Sequence, residues 1–358
     1  PALKLAADHF PGGKLGVMAT PMTLREEKFA RLMERCDQCQ VVKLPAPGLV
    51  ELIDATRSES KYNTKKKITA SFIGYTIAPR INAAGRIRDA SLAVELFLAE
   101  DCETAAPIAK KLCDINHERQ SEENKIIEQA YAHIAMQHDF ENDRVIVLDN
   151  NTWQQGIIGI VSSRITEKYG LPSILISFDG TVRAEDQDTA DDVGKGSGRS
   201  IKGLNLVEAM NHCEDLLVKY GGHELAAGLT VRRRDIPAFR KRINEYAAAL
   251  LTEEMTAVRY EADAVCEAGE LTMRQAEELE RLEPFGVGNP TPTLILKDAV
   301  IHRVIPLGGG RHTKLTAFKD GQMLQAIWFG IAPSKLPVAA GDTADLLFQL
   351  NINDYQGV

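Results

Sequence analysis

The sequence predicts an α/β region followed by an all-β region, preceded by a long bridging helix and a short N-terminal βαβ-like fragment. Three patterns carry this reading. "RVIVLD" (144–149) and "PSILISF" (172–178) are continuous apolar runs on either side of the helical "GIIGIVSSRITEKYG", as expected of strands covered on both faces. In the last hundred residues the period changes to two, and "HTKLTAFKDGQMLQAIWF" sets Asp320-Gly321 between two alternating runs, a strong hairpin signal. From 89 to about 139 the spacing is helical, with a polar centre from Asn116 to Lys125 between two apolar ends.

The elements follow in order. "KLGVMA" (14–19) and "QVVKLPA" (40–46) read as short buried strands around a helix in "TLREEKFARLMERC", with Thr23 as N-cap. This piece is too small to bury its own faces. "DATRSESKYNTKKK" (54–67) is polar and charged, a natural junction. "DASLAVELFLAE" reads as a buried helix capped by Asp89. The helix after it has Pro107 near its start, and at ~30 residues it would run ~45 Å, which suits a bridge between two domains. Gly170 closes the helix of the α/β unit, and further helices are expected at 205–219 and 235–252. "KDAVIHRVIPL" and "TADLLFQLNI" add strands to the hairpin, so the end of the chain reads as a small antiparallel barrel, incomplete at Val358.

Bulk properties narrow the function. At 358 residues the chain has room for two or three domains. A net charge of -8 argues against indiscriminate polyanion binding by the whole surface. Local basic grooves are still available at "KYNTKKK" (61–67), "RINAAGRIR" (80–88) and "RRR" (232–234). No apolar run approaches the ~20 residues of a membrane span. The N-terminus lacks a secretory signal and, without an initiating Met, reads as an internal fragment. Six cysteines make no disulfide framework, so a reducing cytoplasm is the expected compartment. Cys36 and Cys39 form a lone C-x-x-C, read as a helix face.

Four stretches can carry chemistry. "APRINAAGRIRDAS" (78–91) sets Arg80, Asn82, Arg86 and Arg88 around small residues that let a ligand approach; equally, it is a surface loop capping the next helix. In "NTWQQGIIGIVSSR" (151–164), Gly156 opens a helix whose N–H groups can hold an anion; the plainer reading is strand–helix packing with Trp153 in the core. "VGKGSGRSIKG" (193–203) interleaves glycines with Lys195, Ser197, Arg199 and Ser200, a loop able to turn N–H groups, hydroxyls and a guanidinium onto one phosphate. It lacks P-loop spacing, and a flexible linker is the alternative. In "KYGGHELAAGLTV" (219–231), Gly221 and Gly222 give backbone clearance beside His223, which can donate to developing phosphoryl charge; the alternative is a helix C-cap and turn.

These stretches, in this order, resemble the RecJ family of single-strand-specific DNA exonucleases within the DHH phosphoesterase superfamily. "IAPRINAAGRI", "GSGRS", "GGHELAAGLTV" and "LEPFGVGNPTP" (282–292) carry the likeness, over about residues 64–358. The resemblance implies the end of a DHH-type core with a bridging helix over 55–140, a DHH-associated α/β domain over 141–258 and a truncated OB-fold over 259–358. It also implies processive 5′→3′ hydrolysis of single-stranded DNA with manganese or magnesium, and DNA-repair protein partners reached through the OB-fold. By the same likeness Ser197 and Arg199 hold the 5′-terminal phosphate. His223, behind Gly221 and Gly222, stands by the scissile phosphate, and Arg80, Asn82 and Arg86 line the strand's path. The sequence departs from the family in two places: Gln154 stands where a histidine is usual, and the acidic "RAEDQDTADD" (183–192) precedes the phosphate loop.

The superfamily's metal-binding aspartates and Asp-His-His triplet have no counterpart; "ADHF" near His9 is not that motif. Residues 1–54 instead resemble a segment of glutamate racemases through "GKLGVMATPMTLREEKFARL" and "VVKLPAPGLVEL", with Ala46 where that segment often has Cys. The chain therefore reads as a RecJ-type exonuclease lacking its metal-binding half and inactive alone. The alternatives are a non-catalytic single-strand-binding module, or a racemase remnant fused to an unrelated tail.

Overall fold

The computed structural model describes residues 12–19, 25, 27–34, 40–59, 68–178, 192–286 and 288–352. They form two compact units: residues up to Val258 without 68–71, and those four with Arg259 onward. The Cys36-Cys39 pair, the basic run 61–67 and the acidic stretch 183–191 lie outside the described residues.

In the first unit, β1 (Lys14–Ala19) pairs in parallel with β2 (Gln40–Pro45), with α1 (Glu27–Glu34) between them in sequence. α2 (Pro47–Glu59) follows at once. Residues 54–59, expected to begin a polar junction, are its last turns. Leu52, Ile53 and Thr56 keep an inward helical stripe, and Thr56 Oγ1 donates to the Leu52 carbonyl at 2.6 Å. That stripe packs against α3 (Ala78–Ile87), α4 (Ser91–Leu98) and the first half of α5 (Cys102–Gln137), around Ile77, Ala84, Leu96, Ala109 and Leu112. Residues 78–87, for which a loop was one reading, are therefore helical. Ala83 and Ala84 are small because they are buried at a helix contact, and their size gives a ligand no clearance.

α5 is 36 residues long, about 54 Å. The Asp101 side chain caps it by accepting from Thr104 N at 2.7 Å. Its first half lies in the core just described. Ile126, Ala130 and Ile134 near its other end belong to a second core with Trp153, Ile157, Val161, Ile165 and Leu175. The polar centre joins the two, and here the sequence misled: Asn116, Arg119 and Glu123 are buried.

Beyond α5 a five-stranded sheet is built from β3 (Ile146–Asn150), β4 (Ser173–Ser177), β5 (Val193–Arg199), β6 (Leu217–His223) and β7 (Ala226–Arg232), in the order β3-β4-β5-β7-β6. Only β3 and β4 run parallel. α6 (Gln155–Tyr169) connects them and ends at Gly170 in the left-handed region, φ 67°. α7 (Leu206–Asn211) and α8 (Ile236–Ala248) belong to the core of the opposite face, with Phe178, Leu229, Val231 and Phe239. The helix expected over 205–219 stops at Asn211. From Lys219 the chain alternates, with Lys219 and Gly221 exposed and Tyr220 packed on the core, so this segment is an edge strand.

The second unit holds β8 (Ala264–Val265), α9 (Met273–Glu280), β9 (Leu294–Leu307), β10 (His312–Lys319), β11 (Gln322–Trp328) and β12 (Thr343–Phe348). The order is β11-β10-β9-β12, with β8 parallel to β9 and the other pairs antiparallel. Asp320 and Gly321 both have positive φ, 49° and 79°, as a two-residue hairpin requires. Leu296, Ala299, Ile301, Leu315 and Ala317 form the core. The expected barrel appears as a sheet that does not close into a ring among the described strands. In "LEPFGVGNPTP", Asn289 Nδ2 donates to the carbonyls of Leu282 and Pro284, at 2.8 and 3.1 Å, and ties the stretch into a turn.

Candidate functional site

The glycine-rich stretch 193–199 is a central strand. Its backbone pairs with β4 on one side and β7 on the other, so its N–H groups serve the ladder and cannot gather around a phosphate as a loop would. The glycines have a packing cause. A Cβ on Gly196 would lie 2.9 Å from Leu229 Cδ1, one on Gly198 2.8 Å from Leu206 Cδ2, and one on Gly194 2.7 Å from Ile176 Cγ2. The intervening residues Lys195, Ser197 and Arg199 take the other face. There α6 lies so close that a Cβ on Gly159 would be 2.9 Å from Ser197 Oγ and 3.2 Å from the Arg199 guanidinium. Arg199 donates to Ser197 Oγ at 3.2 Å and to the Gly198 carbonyl at 2.8 Å. Burial, then the like charge of Arg86, pulls its pKa below the usual arginine value. Ser200 turns away and donates to the Leu204 carbonyl at 2.7 Å.

The strand register carries this face across the sheet. Ser197 stands opposite Gly228, which stands opposite Gly221. Gly228 and Gly221 are exposed, and a Cβ on Gly221 would meet nothing within 4 Å. On one side of this bare row run Arg199, Ala226 and His223; on the other run Lys195, Thr230 and Lys219. Two strand spacings put Arg199 and His223 about 10 Å apart at Cα. His223 is exposed at the end of the edge strand. The paired glycines before it have separate causes. Gly222 has φ 154°, and a Cβ there would lie 2.4 Å from the Ala226 carbonyl oxygen, so the hairpin itself requires glycine. Gly221 is the position with open space. The segment is thus a hairpin, which excludes the helix C-cap that was the alternative reading.

α3 brings in the first motif. Its last turn touches the start of α6: a Cβ on Gly156 would lie 2.0 Å from the Arg86 carbonyl oxygen, and Arg86 Nη1 donates to the Gly156 carbonyl at 3.3 Å. Gly156 is thus a point of close helix contact. Arg86 and Asn82 are exposed. Arg80 is not free: it is ion-paired with Glu59 at 2.6 Å and donates to the Thr76 carbonyl. Arg88 pairs with Glu118 at 2.9 Å. Trp153 is fully buried and donates to Gln129 at 2.8 Å, a core residue as its plainer reading had it. Gln154 is the N-cap residue of α6 without a side-chain cap bond.

Sequence reasoning missed a buried ionic cluster beside these motifs. Arg119 of α5 donates to Glu123 Oε2 and, at 2.9 Å, to Asn116 Oδ1. Arg164 of α6 brings its Nε to 2.7 Å from Glu123 Oε1. That contact is a close charge pair whose N–H is not aimed as a hydrogen bond, since Glu123 Oε1 accepts none. Burial lowers the Arg119 pKa, Glu123 opposes this, and Arg164, Arg86 and Arg80 add like-charge repulsion. Asn116, Arg119 and Glu123 lie three and four apart, and that helical spacing was the available signal.

The site is therefore a cationic, small-residue face of a mixed α/β sheet. Residues 142–249 match the DHHA1 domain, and residues 262–358 match the RecJ OB domain. The chain is 33% identical over 284 residues to the single-stranded-DNA-specific exonuclease RecJ of Bacillus subtilis (strain 168), covering 79% of this chain and 35% of that protein. A crystal structure of RecJ with Mg2+ from Thermus thermophilus matches with TM-score 0.68 and 31% identity, over 87% of this chain and 44% of that one. Over most of its length the chain corresponds to the C-terminal portion of such proteins. It spans about a third to a half of the length of the curated relatives it matches. Over 55 residues it is 56% identical to the glutamate racemase of Clostridium acetobutylicum, 15% of this chain and 22% of that protein. No helix among the described residues is long and apolar enough to cross a membrane.

Proposed function

We propose that this chain is the strand-positioning portion of a RecJ-type exonuclease, which holds the 5′ end of single-stranded DNA for hydrolysis. The observation that carries the reading is the pairing of Ser197 and Arg199 on one face of β5. Both sit under Gly159 of α6 and beside the open Gly228–Gly221 row that leads toward His223. A terminal phosphate there accepts a hydroxyl and a charged guanidinium donor together. The next phosphate crosses the glycine row toward His223, which donates to its charge. Arg86 and Asn82 line the approach, while Arg80, already paired with Glu59, contributes only its field.

Manganese or magnesium does not fit the residues described. Among the described residues no three His, Cys, Asp or Glu side chains converge as a ligand set. His223 stands opposite Ala226 at the exposed end of the edge strand, and its work in this portion is hydrogen bonding. We assign the ion's ligands to the part of the relatives' length that this chain does not span.

The test is binding of 5′-phosphorylated and 5′-hydroxyl oligonucleotides by fluorescence anisotropy. Arg199→Ala weakens the phosphorylated strand by about 1–3 kcal/mol, as for loss of a charged hydrogen bond, and the hydroxyl strand much less. Equal losses on both strands would show that this face tracks the backbone and does not read the end.

A further inference from the structure

The buried carboxylate of Glu123 has no part in the function above, and it sits where a carboxylate is costly. Its side chain is 2% exposed, and Arg119 beside it is 10% exposed. A buried ion cluster generally adds little stability over apolar residues of the same shape. What it does supply is direction and charge balance. Arg119 is on α5, Arg164 is on α6, and Glu123 holds both.

α6 is also the element on which the phosphate face depends. Its first turn meets the Arg86 carbonyl through Gly156, and its second meets Ser197 and Arg199 through Gly159. The first contact is with backbone and has no room for a methyl group, and the second is with the tips of two side chains, so a small shift of α6 along its axis changes the spacing between Arg86 and Arg199. Arg164 lies eight residues beyond Gly156, about 12 Å along the helix, and there its half-exposed side chain sets Nε 2.7 Å from the carboxylate. At Arg119, Glu123 also offsets the repulsion of Arg164, Arg86 and Arg80.

We infer that Glu123 is a positioning residue: held on α5 by its pair with Arg119, it fixes α6 through Arg164, and so sets the spacing of Arg86 from the Ser197–Arg199 pair that reads the 5′ end. This rests on the reading of that pair as the phosphate site. Glu123→Gln keeps the volume and removes the charge. The expected result is a roughly tenfold loss of preference for 5′-phosphorylated over 5′-hydroxyl strands, the size reached by coupling between contacting charged residues. Affinity for the hydroxyl strand is unchanged or higher, because a negative charge has left a cationic cluster. Amide exchange rises at 157–161 and stays unchanged in β4. A residue with a purely structural role would weaken both strands alike and raise exchange throughout the unit, and that pattern overturns the inference. So does full retention of the preference.

If Glu123→Gln does not fold, the triple variant Arg119→Met, Glu123→Leu, Arg164→Met supplies an apolar replacement. A folded triple variant without end preference supports the positioning role, and one that keeps the preference overturns it. If the unaltered chain shows no end preference, the phosphate-site reading has failed. The positioning role is then decided by exchange alone: protection at 157–161 unchanged in Glu123→Gln refutes it, and a local rise upholds it.

Discussion

Three glycines on the same face of the site meet different surroundings, and an alanine series separates what each does. At Gly156 the added carbon would lie 2.0 Å from the Arg86 carbonyl oxygen and 2.9 Å from its carbonyl carbon. Both are backbone atoms of a packed helix, so α3 and α6 must move apart. Overpacking of this kind costs about 1–3 kcal/mol. Gly156 lies in the first turn of α6, so little helix propensity is regained. At Gly159 the added carbon meets the tips of two side chains, Ser197 Oγ at 2.9 Å and Arg199 Nη2 at 3.2 Å. Those can swing, and alanine in a helix interior regains about 0.5–1 kcal/mol. Stability therefore changes little, while Ser197 and Arg199, the proposed phosphate-binding pair, are displaced. At Gly221 nothing lies within 4 Å and the backbone is not in the left-handed region, so alanine fits. The assays are urea unfolding, followed by the fluorescence of buried Trp153, and anisotropy with 5′-phosphorylated strand. The expected pattern is that Gly156→Ala lowers the midpoint, Gly159→Ala lowers phosphate preference with the midpoint nearly unchanged, and Gly221→Ala leaves the midpoint unchanged. A Gly156→Ala protein as stable as the original would refute the close contact of α3 with α6. A Gly159→Ala protein with undiminished preference would refute the placement of Ser197 and Arg199.

Two further outcomes concern groups away from the site. The His138 side chain is 4% exposed, with its ring edge-on to Phe140 at 4.6 Å and Nδ1 3.7 Å from Asp143. Burial pulls its pKa below the usual histidine value, with Asp143 and Asp139 opposing. A depressed folded-state pKa means that its contribution to stability is present above the unfolded value of about 6.5 and is lost as pH falls through the folded value. The melting temperature therefore drops on acidification below pH ~6.5, and His138→Leu flattens that part of the profile; an equal drop in the variant shows that another group titrates. Cys213 is fully buried, and burial pushes its thiol up to about 11. Iodoacetamide at pH ~8 spares it in the folded chain and modifies it in urea, as peptide mass mapping reads; modification in the folded chain contradicts the burial.

Strands with apolar side chains on their buried faces were legible, because burial writes itself into hydrophobic pattern. β1, β3, β4, β10 and β11 fall at or within two residues of the runs that predicted them. α5 was legible as a helix with two apolar ends, and those ends do lie in two separate cores. Its centre was misread because periodicity reports which residues share a face and says nothing about what covers that face. Asn116, Arg119 and Glu123 share one, and whether it meets water depends on Arg164, more than forty residues away.

β5 was misread for the opposite reason. Its core-facing positions are so closely covered, by Ile176, Leu206 and Leu229, that only glycine fits. The apolar half of the alternation is thereby erased, and what remains looks like a flexible loop. The period itself survives, since glycine recurs at 194, 196 and 198 with polar residues between. A linker has no reason to place glycine at every second position, whereas a strand pressed against a neighbouring layer does. Read that way, the alternation assigns Lys195, Ser197 and Arg199 to one face before any coordinates exist; Gly221 and Gly228 lie on that same open face, where no packing contact demands glycine. The candidate residues stand out in the sequence as residue types. The surface they share follows from where the glycines leave no room on the other side of the sheet.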